Sequence, residues 1–141
     1  MRHAQPAPDS AMLAPIERLA RFVATGDGTF LDGVFARADV TIHENFAPFV
    51  FTGPDSVARW APLFRDHAKD LGNLKHSFGP AQDFNRSGTE AYFALPTTWT
   101  GLTKRQPFIE TGGWSFVLVA EKDEWRIRAY AWAVTSYEKM Q

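Results

Sequence analysis

The chain has 141 residues, of which 45% are hydrophobic and 22% charged, and this composition is typical of one globular domain. A formal net charge of −1 gives no electrostatic basis for binding nucleic acid or an anionic membrane, and the absence of cysteine excludes disulfides and thiolate metal sites. No apolar run is long enough to span a bilayer and the amino terminus lacks a signal-peptide core, so we expect a cytoplasmic protein.

The amino-terminal half predicts helices. Residues 1–9 contain two prolines and form an expected flexible tail, and a first helix begins near Ser10 or at Pro15 and ends at Gly26. A short second helix is expected through residues 30–35. Thr52-Gly53-Pro54-Asp55 then opens a third helix, whose apolar stripe includes Trp60, Phe64 and His67.

The second half predicts strands. Four segments near residues 74–85, 89–99, 106–120 and 125–136 are separated by polar turns, one of them centred on Lys122-Asp123. Helices followed by antiparallel strands indicate the α+β class. We therefore predict one domain over residues 10–141, a cone-shaped α+β barrel in which three amino-terminal helices pack on a strongly curved, mostly antiparallel sheet.

Glu44 is the most informative residue of the sequence. Val40 and Ile42 alternate as core positions of a strand, and the same parity points Glu44 toward the interior. A carboxylate aimed at an apolar interior must be paired, protonated or used in chemistry, and burial would raise its pKa. Glu44 is therefore either a general base in an apolar pocket or a hydrogen-bonded glutamate at the end of a strand. His43 and Asn45 have the opposite parity, which leaves their direction open.

The last predicted hairpin has two apolar faces. A turn at Lys122-Asp123 pairs Val119 with Arg126 and Ser115 with Tyr130. One face then carries Ser115, Tyr130 and Trp132, and the other carries Trp114, Phe116, Trp125 and Ile127. One face would line the pocket and the other would form an apolar patch, which predicts a homodimer.

Several local motifs resemble the nuclear transport factor 2-like superfamily, and within it the SnoaL-like and ketosteroid isomerase-like proteins. The similarity covers residues 12–136 and rests on three stretches: Leu19-Ala20-Arg21-Phe22 with residues 35–42, Phe51-Thr52-Gly53-Pro54-Asp55-Ser56-Val57, and residues 111–118 with Glu124-Trp125-Arg126-Ile127. This resemblance implies a fold rather than one chemistry, because the superfamily includes enzymes, binding proteins and assembly domains.

The resemblance also implies roles for individual residues. Glu44 matches the position of the catalytic aspartate of ketosteroid isomerases, whereas their oxyanion-hole tyrosine matches Phe22 and their late aspartate falls near Ser115. Steroid isomerisation is therefore not expected, because these donors are replaced by a phenyl ring and a weaker hydroxyl. The same alignment favours Tyr130 and Trp132 as pocket residues.

The sequence thus predicts a pocket for a small apolar ligand, with Glu44 as catalytic base. The expected lining residues are Phe22, Trp60, Phe64, Ser115, Tyr130 and Trp132. Glu110 either lies near the pocket mouth or pairs with Lys104 or Arg105. The four histidines show no metal-ligand spacing, so neither a metal nor a cofactor is expected. Three functions stay open: a cofactor-independent isomerase, dehydratase or cyclase, a non-catalytic ligand-binding protein, and a dimeric assembly module.

Overall fold

A computed structural model describes residues 6–140 and contains two α-helices, one 3₁₀ turn and seven strands. The helices are α1 (Ser10–Thr25) and α2 (Ser56–His67). The strands are β1 (Thr41–His43), β2 (Val50–Phe51), β3 (Leu71–Phe78), β4 (Gln82–Ser87), β5 (Glu90–Thr103), β6 (Gln106–Glu121) and β7 (Glu124–Lys139). The predicted α+β class is confirmed. Residues 1–5 of the predicted tail lie outside the described part of the chain.

Helix α1 begins and ends at local capping signals. The Asp9 carboxylate accepts a hydrogen bond of 3.0 Å from the Met12 backbone N–H. At the other end Gly26 adopts a left-handed conformation with φ of 73°, and its N–H donates to the Phe22 carbonyl. The face between the caps, which includes Ile16, Leu19 and Phe22, is fully buried against the rest of the core.

The prediction of three helices is wrong. The expected second helix is a single 3₁₀ turn, Gly28–Leu31. The Asp27 side chain caps this turn by accepting a hydrogen bond from the Thr29 N–H, and Gly33 follows in the left-handed conformation with φ of 73°. A left-handed residue cannot continue a right-handed helix, so the apolar residues after Gly28 cannot extend into a longer helix.

Six strands follow one another in the sheet in the order β2-β1-β7-β6-β5-β3, and β4 pairs with β5 beside β3. β1 runs parallel to β7, and the other strand pairs are antiparallel. The predicted strand 74–85 is in fact two strands, β3 and β4, separated by residues 79–81. Within residues 6–140, neither helix combines the length and the apolar character needed to cross a bilayer.

A register shift in the last hairpin changes which residues face the core. Val119 pairs with Arg126 as predicted, but one extra residue of β7, Arg128, is accommodated between the pairs Leu118–Ile127 and Val117–Ala129. Such a bulge moves every later residue by one position. Ser115 therefore pairs with Ala131, whereas Tyr130 pairs with Phe116 and Trp132 with Trp114.

The predicted dimer patch is wrong for the same reason. Trp114, Phe116 and Ile127 are at most 3% exposed and belong to the core that also contains Tyr130. Trp125 is partly buried against this core. The homodimer remains a prediction that this patch no longer supports.

Gly112 fixes the position of Trp132. A Cβ atom added at Gly112 would lie 2.3 Å from the Ala133 carbonyl oxygen and 2.6 Å from the Trp132 ring, whereas one added at the neighbouring Gly113 would meet nothing within 4 Å. Strand β6 and the indole of β7 therefore approach each other more closely than any side chain at position 112 allows.

We predict that Gly112→Ala lowers the free energy of unfolding by about 1–3 kcal/mol, as expected for overpacking, and displaces the Trp132 ring. Gly113→Ala is the matched control and should leave stability unchanged or raise it slightly, because alanine restricts the unfolded chain. Urea unfolding and near-ultraviolet circular dichroism measure both effects. Equal stabilities of the two variants would contradict this packing constraint.

Candidate functional site

Glu44 follows β1 directly, and the backbone turns back on itself after it. The Glu44 N–H donates a 3.0 Å hydrogen bond to the Phe49 carbonyl, which closes the loop between β1 and β2. Ile42 is fully buried, and the Glu44 side chain, two residues later, is only 8% exposed. The predicted inward parity of Glu44 therefore agrees with its position.

Two donors from different elements hold the Glu44 carboxylate. The Trp60 indole Nε1–H of α2 donates to Oε2 at 2.8 Å, and the Tyr130 hydroxyl of β7 donates to the same oxygen at 2.5 Å. The rings of Trp60 and Tyr130 also contact each other edge to face, with centroids 6.0 Å apart. Oε1 receives no hydrogen bond from the described side chains, so this oxygen is available to a ligand.

Burial raises the pKa of Glu44 from 4.5 to about 7. Removal of water disfavours the charged carboxylate, and the hydrogen bonds from Tyr130 and Trp60 offset only part of that effect. The predicted rise of the Glu44 pKa is thus confirmed. Burial and the neighbouring carboxylate raise the pKa of Tyr130 well above its usual value, so Tyr130 keeps its proton and remains a donor.

Glu44 lies on the wall of a small cavity of about 80 Å³ that is partly open to solvent. The cavity is lined mainly by aromatic and aliphatic side chains, with a few polar groups. Its lining residues are Val23, Glu44, Asn45, Phe46, Phe64, His67, Ala68, Leu71, Leu74, Trp99, Phe108, Glu110, Trp114 and Trp132.

The structure brings some of the predicted site residues together and separates others. Phe64 and Trp132 line the cavity beside Glu44, and Trp60 and Tyr130 lie behind its carboxylate as donors. Phe22 is fully buried outside the lining and packs on Trp60 and Phe64, with centroids 5.3 and 5.7 Å away.

Ser115 is absent from the cavity lining. It pairs with Ala131 and Ala94, on the sheet face opposite the buried Trp114 and Phe116. The bulge at Arg128 is the reason, because it puts Ser115 out of phase with Tyr130.

Two polar residues of the cavity, Asn45 and His67, received no firm role from the sequence. The sequence left open whether His43 and Asn45 face the pocket. Asn45 lines the cavity, whereas His43 is exposed and is not part of the lining. His67 also lines the cavity, and its ring stacks on Phe46 with centroids 4.6 Å apart. His67 follows Phe64 by three residues on α2, and residues with this spacing lie on the same face of a helix, so the sequence could have placed His67 beside Phe64 in the cavity. Burial lowers the pKa of His67, which favours the neutral imidazole.

Glu110 is the second carboxylate of the cavity. Burial raises its pKa, and the Trp132 indole opposes that rise by donating a hydrogen bond to the charged form. Of the two positions that the sequence left open, the one near the pocket is correct, because no Lys or Arg within residues 6–140 forms an ion pair with Glu110.

An unpaired donor completes the site. The Trp114 Nε1–H is buried and has no hydrogen-bond partner in the described chain, although its residue lines the cavity. A buried donor without a partner costs about 1–3 kcal/mol. Among residues 6–140, no group of His, Asp and Glu side chains has the arrangement needed to hold a metal ion.

Comparison with known proteins identifies the fold. No protein-family model and no curated protein sequence matches the chain. Solved structures do match, among them hexachlorocyclohexane dehydrochlorinase LinA-type3 from Novosphingobium barchaimii LL02, with a TM-score of 0.76 and 8% identity over 93% of this chain and 88% of that one.

Two further structures widen the comparison. A protein assigned provisionally as a scytalone dehydratase from Novosphingobium aromaticivorans has a TM-score of 0.70 and 15% identity, covering 92% of this chain and 87% of that chain. A nuclear transport factor 2-like superfamily protein from Salmonella enterica has a TM-score of 0.68 and 16% identity, covering 86% and 87% respectively. At these identities the similarity establishes the fold alone.

We predict that the stability of the protein falls as the pH rises from about 4.5 through 7. The folded protein holds the Glu44 proton more tightly than the unfolded chain, so ionisation costs the native state about 3 kcal/mol above pH 7. Glu44→Gln should remove this contribution and be more stable than wild type at pH 8, because its amide oxygen can accept from both Trp60 and Tyr130.

Glu44→Leu is the matched control for loss of the acceptor. It leaves the Trp60 and Tyr130 donors unpaired and should be less stable than Glu44→Gln by about 2 kcal/mol or more at both pH 5 and pH 8. Urea unfolding of the three proteins at the two pH values measures the effect. A Glu44→Gln protein clearly less stable than wild type at pH 8 would instead indicate a structural ionised carboxylate.

Proposed function

We propose that this chain, which has the nuclear transport factor 2-like fold, is a cofactor-independent enzyme that uses Glu44 as a general base on a small apolar ligand. The reaction class is isomerisation, dehydration or another elimination, or cyclisation. The observation that carries this proposal is the Glu44 carboxylate, which lines an apolar cavity with a pKa of about 7 and one oxygen free of protein donors.

The geometry suits proton abstraction at neutral pH. A base is most effective when its pKa lies near the working pH, because it is then both deprotonated and strong enough to accept a proton. Trp60 and Tyr130 fix Oε2, so Oε1 is the atom that would take a proton from a carbon of the ligand. The carboxylate becomes a neutral acid in this step, and its apolar surroundings favour that form.

The unpaired Trp114 N–H suits the other half of such a reaction. Proton abstraction next to a carbonyl leaves negative charge on its oxygen, and a preorganised donor in a water-poor site stabilises that charge. Trp114 Nε1 is a buried donor without a partner and its residue lines the cavity, so we assign it this role, which requires the indole to turn its N–H toward the bound ligand. Phe22 supplies no hydroxyl, and steroid isomerisation is therefore not part of the proposal.

The structural neighbours support an elimination in particular. One of them is named as a dehydrochlorinase, and another is provisionally named as a dehydratase. Both names describe enzymes that catalyse eliminations. An elimination needs a base near an acidic C–H and an apolar site that excludes water. The cavity beside Glu44 offers both features.

A non-catalytic binding protein is the alternative, because the cavity exists whether or not it supports chemistry. In either case the expected ligand is small, since about 80 Å³ is well below the volume of an ordinary drug-binding pocket. A single domain over residues 10–141, a homodimer and a cytoplasmic location also remain proposals.

We predict that the protein catalyses exchange of the acidic C–H of small planar ketones with deuterium from solvent. Proton NMR in D₂O should show exchange that increases with pH around a midpoint of about 7 and is lost in Glu44→Gln, because exchange needs only a base and a bound ligand. Glu138→Gln, a substitution of an exposed carboxylate outside the cavity, is the control and should retain full activity.

Tryptophan fluorescence separates the two candidate functions, since Trp99, Trp114 and Trp132 line the cavity. If ligands quench the fluorescence but show no deuterium exchange, the protein binds them without catalysis, and the proposed role of Glu44 as a base is rejected. If none of the small planar ketones quenches the fluorescence, both candidate functions are contradicted.

A further inference from the structure

The proposed base chemistry makes no use of Glu110. This carboxylate lies on the cavity wall, and no Lys, Arg or His within residues 6–140 forms an ion pair with it. The ionised form of a partly buried carboxyl group without a counter-ion is unfavourable, and a ligand of opposite charge would stabilise it. The surroundings of Glu110 indicate what that ligand is.

Three tryptophan rings form an aromatic corner in the cavity wall to which Glu110 also belongs. The Trp99 and Trp114 rings meet at 74° with centroids 6.2 Å apart, and the Trp114 and Trp132 rings meet at 72° with centroids 5.7 Å apart. Trp99 is the direct cross-strand partner of Glu110. The Trp132 indole lowers the pKa of the Glu110 carboxyl group and so opposes the effect of burial. All four residues line the same cavity.

The cavity wall offers acidic side chains and no basic ones other than a histidine. Its lining includes two carboxylates, Glu44 and Glu110, but neither Lys nor Arg. His67 is the remaining titratable group on the wall, and burial lowers its pKa and so favours the neutral ring. Perpendicular aromatic walls beside a carboxylate are the arrangement by which proteins recognise ammonium groups.

We propose that the cavity binds a small cationic nitrogen, a protonated or quaternary amine, with Glu110 as its counter-ion and Trp99, Trp114 and Trp132 as its walls. This inference rests on the proposed function in that it assigns a substrate class to the same cavity. Glu110 is a specificity residue in this arrangement, and Glu44 remains the base.

The hydrogen bonds of the two carboxylates suit them to different roles, Glu44 as the base and Glu110 as the counter-ion. Glu44 is fixed through Oε2 by two donors on α2 and β7, whereas Glu110 has the aromatic corner beside it. Tryptophan faces attract a cation by about 0.5–2 kcal/mol each according to how far it is desolvated, and a neutral ligand of equal shape gains nothing comparable.

A wider groove with a volume of about 440 Å³ lies next to the cavity and shares Leu74 and Phe108 with it. The rest of the groove wall includes the apolar residues Leu102, Pro107 and Met140 and one cationic residue, Lys75.

The test compares choline with its neutral carbon isostere, 3,3-dimethylbutan-1-ol, by isothermal titration calorimetry and tryptophan fluorescence at pH 8. The two probes have the same shape and differ in the charge of one central atom. We expect choline to bind wild type about tenfold more tightly or better, which corresponds to a single favourable charge interaction of about 1.4 kcal/mol. Glu110→Gln should abolish most of this preference while binding the neutral probe as before.

Two controls keep the outcome specific. Glu138→Gln should retain the full preference for choline, and Trp132→Phe should retain more of it than Trp132→Leu, because a phenyl ring still attracts a cation. Circular dichroism confirms that each variant is folded, and the wild-type comparison of the two probes is decisive even if one variant is not.

Each possible result decides between the two proposals. Equal or tighter binding of the neutral isostere overturns the cationic ligand but leaves the apolar cavity and the Glu44 base intact. A choline preference that survives Glu110→Gln overturns the role of Glu110. If neither probe binds at millimolar concentration, both the cation site and the ligand-binding cavity are rejected.

Discussion

The hydrogen bonds that Trp60 and Tyr130 donate to the buried Glu44 carboxylate are the interaction on which the rest of the site depends. They join three distant parts of the chain, the end of β1, helix α2 and strand β7, at a single oxygen atom. Both donor side chains are almost completely buried, so the carboxylate cannot move to water without leaving them unpaired. The same carboxylate lines the cavity together with aromatic side chains.

This arrangement makes the native state less stable at neutral pH than a fully apolar core would. A carboxyl group of raised pKa lowers the free energy of unfolding whenever it is ionised. The unpaired Trp114 donor lowers it further. The aromatic packing around Trp60, with ring centroids 5.3–6.0 Å away on Phe22, Phe35, Phe64 and Tyr130, offsets these costs. Groups that destabilise the fold and face a cavity are typical of functional sites.

The sequence predicted those features that depend on local periodicity. The alternation of Val40 and Ile42 predicted the inward direction of Glu44, and Ser10 and Gly26 marked the ends of the first helix, although Pro15 was an alternative start. It could not predict the bulge at Arg128, because the extra residue is accommodated by pairing with a strand elsewhere in the chain. Ser115 was consequently misplaced, and Trp114 was assigned to a surface although it lies in the cavity wall. For Glu110 the sequence left two positions open, one of them near the pocket, and could not decide between them.

A titration of the Glu44 side-chain carboxyl carbon by ¹³C NMR tests the central claim most directly, with Glu44→Gln used to assign the resonance. We expect a midpoint near pH 7 in wild type. In Tyr130→Phe, which removes one donor to the charged form, the midpoint should move higher, whereas Tyr92→Phe on an exposed ring should leave it unchanged. A Glu44 midpoint near 4.5, the ordinary value, would contradict the account, because the carboxylate would then be a solvated or ion-paired group too weak to serve as the base.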